Sequence, residues 1–439
     1  MRVLKFGGTS VGKPERMHSV AELINDGHKK IVVLSAVSGT TNALVEIGNQ
    51  LVANNKVAAQ EVFDKLYAQY QEFIAALYST ESGLNNGKSV IENEFNLIKS
   101  IFDKQVTDVE QRILLAQGEI ISTQLFNFYF NEIGRKSILL PALDFMMIDE
   151  DNEPVLSFIE EKLGAFLNQY SDTELFITQG YICRNPKGEV DNLKRGGSDY
   201  TGTLVGAALN ASEIQIWTDI DGMHNNDPRI VKRTFPIHEL NFEEAAELAY
   251  FGAKILHPTC IRPAADRNVP VKLLNTMQPQ ERGTVIANNT TDSEIKAIAA
   301  KDGITVVKIK SSRMLLAYGF LRKVFEVFEK YKTPIDVITT SEVEVSMTID
   351  DISHLDEIKA DLAKIATLDV ESGYSIICVV GDFSAEKTGI VLKVVQNLVT
   401  IPYRMLSAGG SSHNVTIVLK QEYKNEALNL LNEGLFDWK

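Results

Sequence analysis

Val3–Met17 reads VLKFGGTSVGKPERM, and the reading of its glycines decides the fold. Gly7, four residues, Gly12 and Lys13 satisfy the first seven positions of the phosphate loop G-x-x-x-x-G-K-[ST], whose final hydroxyl binds magnesium. Pro14 stands at the eighth position. It has no hydroxyl, so a phosphate loop of that kind is excluded. Proline instead suits the first turn of a helix, where its missing N–H would be unpaired anyway. A different lysine, Lys5, lies inside the short strand Arg2–Phe6, just before Gly7 and Gly8. From a strand end its ammonium can reach over the following turn. The two glycines let a phosphate approach a nest of backbone N–H groups, and Thr9 and Ser10 add hydroxyls. The stretch therefore predicts strand, turn, and a helix from Pro14 to about Asp26. An anion-holding turn and a plain connecting turn share this pattern.

Working outward, KKIVVLSAVSGTTNAL repeats the form: buried strand Ile31–Leu34, a small-residue loop, a helix. Residues 50–133 are helical in pattern. Strands return at Ser137–Leu140, Leu175–Thr178, Ile214–Thr218 and Val271–Leu274, separated by helices. This alternation predicts an α/β fold, a mostly parallel sheet sandwiched by helices, with ligand loops at the C-terminal ends of the strands. After about Asn288 the pattern changes. GFLRKVFEVFEKYKTPIDVITTSEVEVSMTID and GIVLKVVQNLVTIPYRMLSAGGSSHNVTIVLK each read as a helix and two strands joined by a polar turn. Each is followed by an amphipathic helix and preceded by a strand, ITVVKIK or YSIICVV. The repeat predicts two ferredoxin-like βαββαβ modules.

Lys and Arg number 44 against 58 Asp and Glu, a net charge of −14. That balance argues against nucleic-acid partners and an anionic membrane surface. An anionic ligand must then be held by a few local cations and N–H groups. The 439 residues suffice for two to four domains. Cys183, Cys260 and Cys378 form no CxxC pair and read as buried reduced thiols of a cytoplasmic protein. No apolar run approaches the roughly 20 residues of a membrane span, and no signal peptide is expected because the N-terminus runs straight into a strand.

Five further stretches carry chemistry. In SAVSGTTN, Ser35–Asn42, small hydroxyl residues follow a buried strand, as an anion site or a capped turn would require. QGEIIS sets Glu119 in an apolar helix, either as an ammonium ligand or as a solvated acid. NLKRGGSDYTGTLVGAAL gathers Arg195, Ser198 and Asp199 at a helix start, where a guanidinium fork and N-terminal N–H groups suit a carboxylate. Thr218 and Asp219 end a strand in IWTDIDGMHNNDPRIV; the acid suits a ribose or base edge and Arg229 a phosphate. FGAKILHP brings Lys254 near a helix break. His224 and His257 lack metal-ligand spacing, and no metal site is expected.

KFGGTSV, SGTTN, QGE, RGGSDYT, WTDIDGM, DPR and FGAKILHP, in this order, resemble the aspartate kinases of the amino acid kinase family. The C-terminal third resembles the paired ACT domains of the lysine-sensitive, monofunctional members, so the resemblance covers nearly the whole chain. It implies a catalytic domain over 1–290, one ACT module over 311–370, and a second, discontinuous one over 295–310 and 371–439. It implies transfer of phosphate from ATP, with Mg2+, to the β-carboxylate of L-aspartate, the first step toward lysine, threonine and methionine. Lys5, Gly7, Gly8 and Ser10 would contact the transferring phosphate, with Asp199 orienting Lys5. Ser38, Thr41, Glu119, Tyr181, Arg195 and Ser198 would hold aspartate, Arg195 on the α-carboxylate and Glu119 at the ammonium. Thr218, Asp219, Arg229 and Lys254 would bind the nucleotide. Tyr181 stands where the family usually has Phe, and His224 where it commonly has a Tyr against the nucleotide. Met314, Gly319, Phe320, Leu321, Asp336, Thr340, Ser341 and Glu342 match effector positions, with Asp336 toward a lysine ε-ammonium; Ala317 lacks the hydroxyl often found there. A homodimer through the ACT domains is implied.

The implied chemistry is coherent. A carboxylate with an ordinary pKa of about 3.9 is already ionised at neutral pH and needs no general base. The task is positioning plus cationic screening by Lys5, Lys254, Arg229 and magnesium. Two readings compete: an amino-acid sensor without catalysis, which the intact Lys5, Arg195, Asp199 and Lys254 disfavour, and a kinase–dehydrogenase fusion, which needs a downstream G-x-G-x-x-G unit.

Overall fold

In the computed structural model, which describes residues 1–194, 196–252, 256–288, 294–311 and 318–438, Arg2–Phe6 forms strand β1 and Pro14 opens helix α1 (Pro14–Leu23). Then follow β2 (Lys30–Leu34), α2 (Thr40–Val52), α3 (Lys56–Leu77), α4 (Glu81–Ile101), α5 (Asp108–Glu132), β3 (Ile138–Leu140), α6 (Leu156–Gln169) and β4 (Leu175–Gln179). Next come β5 (Ile182–Arg184), β6 (Val190–Asn192), α7 (Gly197–Ala208), β7 (Glu213–Thr218), β8 (Glu239–Leu240), α8 (Phe242–Tyr250), α9 (Pro258–Asp266), β9 (Val271–Asn275) and β10 (Thr284–Ile286). The remainder comprises β11 (Ile295–Lys310), α10 (Phe320–Lys330), β12 (Ile338–Thr340), β13 (Glu344–Ile349), α11 (Leu355–Leu362), β14 (Thr367–Gly381), α12 (Ile390–Gln396), β15 (Tyr403–Ala408), β16 (Asn414–Lys420) and α13 (Lys424–Leu435). The described residues divide into two units: those of 1–223, 238–242 and 256–289, and those of 224–237, 243–255 and 290–439.

The first unit is built on an eight-stranded sheet in the order β3-β4-β2-β1-β7-β9-β10-β8. β1 runs parallel to β2 on one side and β7 on the other, with Phe6 level with both Leu34 and Trp217; Leu34 in turn is level with Gln179. Four strand C-termini therefore end along one edge. β1 is the point where strand order reverses, and such a point leaves a crevice beyond the strand ends. Alternation along β1 sends Leu4 and Phe6 into an apolar core with Met17, Val32, Leu34, Ile47 and Phe126. Lys5 takes the opposite face. There α7 crosses closely, because a Cβ at Gly202 would lie 3.1 Å from Lys5 Cβ.

The long helical stretch after β2 is cut into separate helices by polar caps: Asn55 on α3, Thr80 on α4, and Thr107 with Glu110 in a capping box on α5. The hairpin β5–β6 and the short β8 and β10 were not foreseen. Strands of two or three residues carry too little alternation to register as such.

The second unit has a six-stranded antiparallel sheet in the order β12-β13-β11-β14-β16-β15. ITVVKIK and YSIICVV are each only part of the longer strands β11 and β14. One end of β11 packs Val307 and Ile309 with Phe320, Val324, Phe328, Met347 and Leu362. The other packs Ile295 and Ile298 with Ile377, Val379, Ile390, Val394 and Leu431. The β11–β14 register shifts between Lys301 and Ile304, where the two clusters part.

Candidate active site

The loops after β1, β2 and β4 and the starts of α2 and α7 line an open cleft of about 430 Å3. Gly8, Ser38, Thr41, Glu119, Tyr181 and Ser198, all singled out from sequence, line it together. Ser35, Ala36, Val37, Gly39, Asn42 and Gly197 complete the wall. Of these, all but Gly197 lie within the SAVSGTTN stretch, and its hydroxyl-rich composition was the available signal.

Both helices that begin at the cavity are preceded by a left-handed glycine, Gly39 at φ 88° and Gly196 at φ 69°, and neither has a side-chain cap. Thr40 N–H donates to the Val37 carbonyl (3.0 Å); helix starts without a side-chain cap suit an anion, and the helix dipoles favour negative charge there. Gly180 sits where β4 meets α7, and a Cβ on it would fall 2.8 Å from Ser198 Cα. Tyr181 holds φ 68°, a costly conformation for a residue with a side chain. It is pinned by its N–H donating to Thr201 Oγ1 (2.9 Å) and its carbonyl accepting from Leu193 N–H (2.8 Å).

Lys5, its side chain 9% exposed, has Nζ 2.6 Å from Oδ1 of Asp199, the residue after the lining Ser198. The contact is a close ion pair, not an aligned hydrogen bond. Glu119 is buried; its Oε1 accepts from Ala36 N–H at 3.3 Å, and its Oε2 has no partner among the described residues. Burial pushes its carboxyl up to about 7, against the opposing pull of the Ala36 N–H and the Lys5 charge. Burial, helped by the Glu119 charge, likewise raises the Tyr181 hydroxyl to about 12. Side chains outside the wall tie the part of α5 that carries Glu119 to the ends of β2 and β4: Ser122 Oγ donates to the Ser35 carbonyl (2.7 Å), and Gln179 Nε2 donates to Thr123 Oγ1 (2.8 Å). Thr40, at the start of α2, bonds Tyr70 of α3 at 2.8 Å. Ser122 stands in the QGEIIS stretch; Gln179 and Tyr70 gave no sequence signal, because their partners are distant along the chain.

Other expected residues fall elsewhere. Gly7 N–H donates to the Trp217 carbonyl (3.2 Å), continuing the β1–β7 ladder, and Gly8 lines the cleft. Ser10 is fully buried with Oγ 2.7 Å from Thr276 Oγ1, tying the turn to the end of β9. Thr218 Oγ1 donates to Asp219 Oδ1 (3.2 Å) at the end of β7. Arg229 belongs to the second unit, exposed and paired with Asp227 at 2.7 Å. Arg195, Lys254, Met314 and Ala317 lie outside the described residues. His257 caps α9 through Thr259 N–H, and His224 bonds Thr234 Oγ1 at 3.0 Å. All three cysteines are buried and free. Among the described residues no helix is long and apolar enough to cross a membrane.

Of the expected effector residues, Gly319 precedes α10 at φ 76°, Phe320 is buried and Leu321 is exposed. Thr340 ends β12, Ser341 N–H donates to the Glu344 carbonyl (2.8 Å), and Glu342 is exposed. The Asp336 side chain is fully buried.

Fold and cleft together set a buried carboxylate, Glu119, and a buried lysine, Lys5, toward the C-terminal edge of a parallel sheet. Residues 1–275 match the amino acid kinase family. The chain is 34% identical to aspartokinase 3, chloroplastic, of Arabidopsis thaliana over 99% of its length and 81% of that protein's. It is 31% identical to the lysine-sensitive aspartokinase 3 of Escherichia coli over 99% of both. A crystal structure of E. coli aspartokinase III with aspartate and ADP superposes over the whole of both chains with a TM-score of 0.87 at 30% identity. One of the same enzyme with lysine and aspartate gives 0.78. The chain belongs to the amino acid kinase family and, within it, to the aspartokinases: it is an aspartate kinase.

Proposed function

We propose that the cavity binds L-aspartate and that the enzyme moves the γ-phosphoryl group of ATP onto its β-carboxylate. The observation that carries this is the Oε2 of Glu119, a buried acceptor with no partner among the described residues, which lines the same cleft as two helix starts without side-chain caps. An α-amino acid dicarboxylate presents one ammonium and two anions, and that set matches. The ammonium pairs with Glu119. The carboxylates face the helix starts, where Ser38, Thr41 and Ser198 supply hydroxyls and Arg195 one guanidinium. The β-carboxylate attacks as the ion it already is. Lys5, oriented by Asp199, offsets the negative charge that both reactants bring; Gly8 lets the phosphate approach the backbone. Thr218, Asp219, Arg229 and Lys254 are assigned to the nucleotide. Mg2+ is assigned to the triphosphate, as part of the substrate.

The second unit is assigned as paired ACT modules that bind lysine as an inhibitor and dimerise through their edge strands. A fully buried Asp336, its Oδ2 without a partner among the described residues, supports an ammonium site there. The division between modules is placed inside β11, near Lys301–Ile304.

A coupled ADP-release assay tests the catalytic reading. Aspartate should support turnover and glutamate should not, and Lys5→Met should lower kcat by roughly 10³-fold or more, by analogy with loss of an arginine finger. Equal turnover of the two amino acids, or an active K5M enzyme, would refute it.

A further inference from the structure

Asp336 does not wait empty for an ammonium ion. Lys301 Nζ lies 2.9 Å from Asp336 Oδ1 and 2.7 Å from Asp350 Oδ2. The Tyr250 hydroxyl donates to the same Asp336 Oδ1 at 2.7 Å, and its ring lies under the Lys301 ammonium, 4.5 Å from centroid to Nζ. Two carboxylates and an aromatic face thus surround one primary ammonium, a recognised cage for such a cation. Asp336 Oδ2 stays buried beside it, without a partner among the described residues. These are the contacts a free lysine side chain would seek, and a lysine of the chain itself makes them.

We propose that the Lys301 ammonium is a built-in surrogate for the effector's ammonium, holding the Asp336 site in the effector-free enzyme and setting effector affinity by competing for it. The proposal rests on the reading of lysine as effector and assigns its regulation to this residue. Two ammonium ions a few ångströms apart in a partly buried site repel strongly. Free lysine must therefore displace Lys301 toward Asp350 or share Asp336 with it, and either lowers its affinity. Burial raises the Asp336 carboxyl above its ordinary range, opposed chiefly by Lys301. Removing Lys301 leaves the site short of a cation, which an incoming one supplies.

The test uses the full chain as wild type, Lys301→Met, Lys301→Gln and Lys301→Arg. L-lysine is titrated in a thermal-shift assay and, separately, in the kinase assay. K301M and K301Q should melt lower without lysine and bind it about tenfold or more tightly, a change of one decade. The inhibition midpoint should fall in step. K301R, which keeps the charge, should stay within about twofold of wild type. Unchanged or weaker lysine binding in the neutral variants, or tightening in K301R as well, would overturn the proposal. If wild type shows no response to lysine, the effector reading fails in that form. A response gained by K301M or K301Q would then still support the surrogate, and silence in both would overturn it. Should K301M fail to fold, K301Q alone decides.

Discussion

Glu119 carries the sharpest chemical expectation of any single residue. Its carboxyl is held near neutrality by burial, and an ammonium partner is the cheapest way to stabilise its ionised form. Aspartate binding should therefore draw a proton off Glu119. The apparent KM for aspartate should fall as pH rises from 6 to 8, and the KM for ATP should move less. A steady-state pH series reads this, and a flat aspartate profile would count against Glu119 as the ammonium ligand. Glu119→Gln keeps the shape and removes the charge. It should raise the aspartate KM by about 100-fold, since a buried charged hydrogen bond is worth a few kcal/mol, and flatten the pH profile. Sequence could nominate Glu119 but left a solvated acid open; the choice was made by burial, which depends on what packs over the helix.

At the scale of elements, the site depends on how closely α7 meets the sheet. GSDYTGTLVGAA is a helix of small residues because Gly202 passes over the stem of Lys5 and a Cβ at Gly206 would strike Ile214. Gly180 makes the matching allowance on the β4 side, against Ser198. Gly180→Ala should force the β4 end and the α7 start apart. Overpacking of this kind costs about 1–3 kcal/mol, and a displacement near 1 Å should lower kcat/KM by about 100-fold. Denaturant melts and steady-state kinetics on the same preparation measure both; an alanine enzyme with wild-type kinetics would show that the approach is not needed. Most of these elements were legible from alternation and from caps. β1, α1 and β4 fall within a few residues of their expected bounds, whereas β5, β6, β8 and β10 were too short to see. The continuity of β11 through two apolar clusters was also hidden, because a long strand shared by two cores shows the same local alternation as two short ones.

For the molecule as a whole, Glu119 links the site to global stability. A carboxyl whose pKa is raised on folding keeps its proton where the unfolded chain has released it. The native state thus binds more protons between about pH 4.5 and 7, and stability falls as pH rises through that window. At pH 8 wild type should be less stable than E119Q by on the order of 3 kcal/mol, and at pH 4 the difference should vanish. Urea melts at both pH values measure it; an E119Q curve parallel to wild type across the range would contradict the linkage. The amino-acid sequence by itself determined the strand–turn–helix start, the non-Walker character of its glycines, the parallel and antiparallel halves, and the kinds of side chain at the site. These rest on local periodicity, on proline and on glycine, whose effects reach only a few residues. Tertiary structure alone decided which candidates meet. It brought Glu119 to Ala36 across 83 residues of chain, took Ser10 to Thr276 across 266, and set Lys301 on Asp336 across 35. Such pairings follow from burial and register between distant segments, and no local pattern encodes them.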